Sequence, residues 1–121
     1  MFYDEDLLIN AIKNCADFPI DIESDLGPDI VFDIVFKERI KQEEVDKITQ
    51  ALHKFFLRYN RWHLRPIHYI SSMWGTPPKQ INVFTVQIHI DFGNASPASY
   101  IGAVKAIANS GAEIYRLILS W

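Results

Sequence analysis

The sequence predicts an α+β fold, one helix followed by a βαββαβ succession, and three observations predict it. Ile30–Lys37 and Asn82–Phe92 alternate apolar and polar residues with the period of two that a strand imposes. The stretches around 41–60 and 97–108 instead carry apolar stripes at the 3.6-residue period of a helix. Turn signals rich in Pro and Gly separate these segments, with no linker or internal repeat, so residues 1–121 read as one domain.

The first helix is expected from about Asp4 to Ala16. Asp4 suits the N-cap, the acids of the first turn suit the helix dipole, and Leu8, Ala11, Ile12 and Cys15 share a face before Phe18-Pro19 stops it. Residues 17–29 then read as an acidic loop punctuated by Pro19, Gly27 and Pro28. In the strand that follows, Ile30, Phe32, Ile34 and Phe36 form an apolar face, while Val31, Asp33, Val35 and Lys37 form a mixed one. The next helix, about Lys41 to Asn60, carries Val45, Ile48, Leu52, Phe55, Phe56 and Tyr59 as its stripe, with Glu43 and Glu44 in the first turn and Arg58 in the last.

Ile67–Trp74 reads as a second strand, closed by Gly75-Thr76-Pro77-Pro78. Asn82–Phe92 is the third, with Phe84, Val86, Ile88, Ile90 and Phe92 toward the core and Thr85, Gln87, His89 and Asp91 on the other face. Ser96-Pro97 has the chemistry of a helix start; Ile101, Val104, Ile107 and Ala108 supply the stripe, and Gly111 sits where a C′ glycine belongs. Glu113–Trp121 closes the chain as a strand with Tyr115, Leu117, Leu119 and Trp121 on one side.

Assembled by right-handed crossovers, residues 30–121 are expected to form a ferredoxin-like core, a four-stranded antiparallel sheet with two helices on one face. Residues 1–29 add the extra helix and the acidic loop. That helix must bury its own stripe, either on the open sheet face or against another subunit.

Composition narrows the function classes. With 49% hydrophobic and 13% aromatic residues the chain has the means to bury a core, which excludes intrinsic disorder. No apolar run approaches the roughly 20 residues of a membrane span, and the acidic start Met1-Phe2-Tyr3-Asp4-Glu5-Asp6 is unlike a secretory signal. A single cysteine, Cys15, offers neither a disulfide nor zinc-ligand spacing. A cytoplasmic protein without metal or cofactor is expected.

Base-stacking aromatics are missing from the mixed faces of the two alternating strands, which argues against RNA recognition through the sheet. The acidic loop has its glycine and its twelfth residue, Phe32, wrong for an EF-hand. Arg58–His68 interleaves bases with aromatics, but a sequence pI near 5.7 argues against a nucleic-acid partner. His89 and Asp91 lie on one strand face about 7 Å apart, a dyad without an accompanying nucleophile or glycine-rich oxyanion loop.

The least ordinary feature is the charge layout. Residues 1–36 hold nine acids against Lys13 alone, a net of −8, whereas residues 37–121 hold six acids against eleven bases, a net of +5. Clustered carboxylates accelerate association with a basic partner. On this charge layout Asp17, Asp21, Glu23, Asp25 and Asp29 are the expected contact residues for a basic protein. In overall character the chain resembles the small acidic immunity proteins of bacterial contact-dependent and interbacterial toxin systems. The resemblance implies a non-catalytic, cytoplasmic, cofactor-free protein that covers the active site or substrate groove of a cognate toxin domain. It carries no motif from which further residues can be assigned. The competing expectation is a dimeric, ferredoxin-like small-molecule binder or enzyme that uses Gln87, His89, Asp91 and Arg116 on the open sheet face.

Overall fold

Alternation along the chain sets the two central strands. In the computed structural model, which describes residues 5–23, 29–62, 78–92 and 98–120, strand β2 spans Asp29–Phe36 and β4 spans Thr85–Asp91. Both alternate strictly between buried positions and half-buried or exposed ones. Ile30, Phe32 and Ile34 of β2 and Ile88 and Ile90 of β4 are almost completely buried on one face, as a strand with one apolar side requires. The remaining elements are α1 (Glu5–Lys13), β1 (Ile20–Ile22), α2 (Gln42–Trp62), β3 (Lys79–Gln80), α3 (Ala98–Ala108) and β5 (Ile114–Ser120).

The sheet runs in the order β1-β5-β2-β4-β3. The pairs β5–β2, β2–β4 and β4–β3 are antiparallel, whereas β1 lies parallel to β5 at the edge. A clean four-stranded antiparallel ferredoxin-like sheet is therefore not what forms. The fifth strand comes from the segment expected to be a loop: Ile20 is buried against the core, and Leu117 N–H to Pro19 O (3.0 Å) and Glu23 N–H to Leu119 O (2.9 Å) zip that segment onto β5. The expected strand at 67–74 lies outside the described residues, as do Asp25, Ser96, Pro97 and Trp121.

All three described helices contribute to one core on the same face of the sheet. Val45, Ile48, Leu52 and Phe56 of α2 and Tyr100, Ala103, Val104 and Ile107 of α3 meet the buried strand residues in a continuous cluster, with Phe92 edge-on to Tyr100 at 4.7 Å between centroids. The stripe of α3 is rotated from the expected one, so that Tyr100 and Ala103 are buried while Ile101 and Ala108 are half-exposed. Helix α1 takes neither of the positions expected of it. Leu8 and Ile12 enter the same core, and α1 packs beside α3 and β1 on the helix side of the sheet. No described helix is long and apolar enough to cross a membrane.

A β-bulge modifies β5. Its pairing with β2 steps from Val35–Arg116 to Phe36–Ile114, which leaves Tyr115 as the extra residue. The alternation changes phase there: Ile114, Leu117 and Leu119 are buried, and Tyr115, expected on the same side as Leu117 and Leu119, is 55% exposed. Phe84 is likewise outside the core at 42% exposure, because β4 begins one residue later. Its N–H is held instead by the side chain of Asn82 (Phe84 N to Oδ1, 2.8 Å) in a tight turn.

Candidate functional site: the open face of the sheet

No described helix covers the second face of the sheet, and cross-strand register places its residues in rows. Asp29 stands opposite Asp91, and in the next row Ser120, Val31 and His89 are neighbours. Asp21, Ile118, Asp33, Gln87 and Lys79 form the third row, spanning all five strands. Arg116, Val35 and Thr85 form the fourth. The alternation that buries one side of each strand dictates this layout, so the side chains of the rows lie on rigid elements.

Electrostatics divide the face. Asp21, Asp29, Asp33 and Asp91 occupy the first three rows, and Glu23 is exposed at the β1 edge level with the second. The cations lie at the margins, with Lys79 on the edge strand β3 and Arg116 one row beyond Asp21. Arg116 Nε lies 3.4 Å from Asp21 Oδ2, at ion-pair distance, but its N–H does not make a hydrogen bond there. Its guanidinium stands 5.8 Å from the centre of the Tyr115 ring. His89 Nε2 is 3.4 Å from Asp29 Oδ1, an ion pair only when the imidazole is protonated. Gln87 donates to Asp33 Oδ1 at 2.9 Å, which fixes that carboxylate in the middle of the face.

The expected contact acids are only partly brought together. Asp21 and Asp29 lie on the open face, in rows separated by the His89 row, and Glu23 is beside them. Asp17 is instead in the turn after α1, lining a separate cavity of about 500 Å³ together with Cys15, Phe18, Lys37 and Glu113. Asp33 and Asp91 complete the acidic group in their place. Asp33 was legible from the alternation of its strand, but its distance in sequence from the acidic loop hid its place in Asp21's row, with Ile118 between them.

The four residues expected of a small-molecule site, Gln87, His89, Asp91 and Arg116, share the open face without converging. From Arg116's row to Asp91's is about 20 Å along the strands, and none of the four lines a described cavity. Among the described residues no group of three or more His, Cys, Asp or Glu side chains is arranged to hold a metal ion. Burial pushes the Cys15 thiol above its ordinary pKa, against a weaker opposing pull from Lys105, and its Sγ lies 3.1 Å from Ala11 O. A raised thiol pKa suits a packing residue rather than a nucleophile. Comparison with protein-family models, curated proteins and solved structures finds no match for this chain.

Proposed function

We propose that this chain is a non-catalytic protein-binding module that holds a cationic protein on the acidic rows of its open sheet face. We propose further that the partner is a toxin domain, neutralised in the cytoplasm in the manner of small acidic immunity proteins. The observation that carries the reading is the register that sets Asp29 opposite Asp91 with Asp33 and Asp21 on the same face, which no described helix covers. Like charges directly across a strand pair destabilise a sheet. Carboxylates gathered on one face steer and orient a cationic ligand that approaches it. The layering supports the same reading: among the described residues the helices lie on one side of the β5-β2-β4-β3 part of the sheet, and β1 widens the other side.

Affinity capture with the intact chain, followed by mass spectrometry, tests this directly: the expected catch is one basic protein that is released by high salt. With that protein in hand, the triple variant Asp29→Asn, Asp33→Asn, Asp91→Asn should associate at least about tenfold more slowly at low ionic strength. Its salt dependence should flatten, and dissociation should change less. An association rate that ignores these three carboxylates removes the acidic face from the account.

A further inference from the structure

The acidic rows end in an apolar groove. Val35 and Thr85 of the fourth row, with Asn82, Val83, Phe84 and Tyr115, line a shallow depression of about 590 Å³ at the end of the sheet farthest from Asp29 and Asp91. Val83, Phe84 and Tyr115 are 45%, 42% and 55% exposed, and Ile81 beside them is 47% exposed. Single exposed apolar residues are ordinary; a contiguous set rimmed by polar groups marks a place of contact.

Two unrelated backbone devices hold these side chains in solvent. The bulge in β5 turns Tyr115 out of the alternation that would have buried it. On the neighbouring side, the Asn82 side chain captures the Phe84 N–H at 2.8 Å, while Phe36 N–H to Phe84 O (2.8 Å) and Ile40 N–H to Val83 O (2.9 Å) fasten the same segment to the last residue of β2 and to the chain just after it. The groove is therefore preformed, and filling it does not require the backbone to be ordered.

We propose that this groove is the anchor of the binding face and takes one large apolar side chain from a segment of the cationic partner, whose Lys and Arg residues then lie along the Asp33, Asp29 and Asp91 rows. The proposal rests on the reading of the open face as a protein-binding surface and names what that surface grips. Charge complementarity sets the direction of the segment. Lys37 lines the groove and Arg116, already held by Asp21, borders it, so the partner's positive charge is repelled from the groove end. About 20 Å of sheet separates the groove from the outermost carboxylates. About six extended residues span that distance. Buried apolar anchors carry most of the energy of such interfaces, while the charges around them govern encounter and orientation.

Amide NMR of the intact chain tests the proposal with three synthetic peptides: a lysine-rich one with a central tryptophan, the same peptide with serine there, and a glutamate-rich one with the tryptophan. The expected result is that the lysine–tryptophan peptide shifts Val83, Phe84, Thr85 and Tyr115 together with Asp33 and His89. The serine version should bind about tenfold more weakly and leave the groove resonances in place. Phe84→Ser and Tyr115→Ser, both at exposed positions whose folding the same spectra verify, should each give a similar loss. Shifts confined to the carboxylate rows, indifferent to Phe84 and Tyr115, overturn the anchor and leave the face standing. Failure of both lysine-rich peptides to shift any row overturns the face along with it. Equal binding by the glutamate-rich peptide overturns the charge argument. Groove shifts that grow with protein concentration alone assign the groove to a second copy of the chain and overturn the proposal.

Discussion

Gly102 is the position where one methyl group decides packing. It sits in α3 where α2 crosses, and an added Cβ would stand 2.7 Å from Phe55 Cζ, well inside van der Waals contact. Phe55 is half-buried with Phe56 and Tyr59 as ring neighbours, at 5.5 and 6.0 Å between centroids, so it moves only by disturbing both. Gly102→Ala gains helix propensity of about 1 kcal/mol, but forcing a methyl into a filled site costs about 1–3 kcal/mol. The expected balance is a net loss of about 1 kcal/mol, read as a lower urea midpoint at unchanged slope. A midpoint that rises shows that Phe55 swings clear at no cost.

Among the elements, the first turn of α2 and the entry to β5 are joined through Glu44. Its carboxylate accepts from Lys47 Nζ at 2.7 Å and from the backbone N–H of Glu113 at 3.1 Å. The Lys47 bond first, and the Glu113 N–H second, hold the Glu44 pKa below the ordinary glutamate value, and the same contact raises Lys47. A carboxyl depressed in the folded state stabilises the fold above its unfolded pKa of about 4.3, and that stabilisation disappears as pH falls through the folded value. Glu44→Gln should therefore be less stable than the parent at neutral pH. The two urea midpoints should converge in acid; a constant gap between them down to pH about 3 would sink the tether.

Elements are also where the sequence was most and least legible. Strands β2 and β4 follow from alternation alone, because burial on one face leaves no other arrangement for Ile30, Phe32, Ile34, Ile88 and Ile90. The α2 stripe is equally plain in its 3.6 period. Strand β1 was hidden, since three residues between Pro19 and a run of acids carry no periodicity, and only long-range pairing with β5 makes them a strand. The phase of Tyr115 was hidden for a related reason: a bulge depends on register between strands, which one strand's pattern does not contain. The site divides along the same line. Gln87, His89 and Asp91 were readable as one face, whereas the meeting of Asp21 with Arg116 and of Asp29 with His89 depends on the pairing of separate strands.

At the scale of the whole molecule, the sheet has one side committed to stability and one side held in reserve. The helix side carries the continuous core; the open side carries Asp29 facing Asp91 across β2 and β4. Asp91→Asn removes one carboxylate from that open side and should leave stability within about 0.5 kcal/mol of the parent. The same substitution should slow capture of a basic partner. A variant that loses stability and keeps its association rate would place Asp91 among the structural residues.

The parallel seam between β1 and β5 has a kinetic consequence. It joins Ile20–Ile22 to Leu117–Leu119, closing a loop that takes in most of the polypeptide, whereas β2, α2, β4 and α3 lie inside that loop. Loop-closure entropy favours the interior contacts first. The α1–β1 arm then docks as a late, separately opening foldon, whose amides should exchange with solvent sooner than those of β2 and β4.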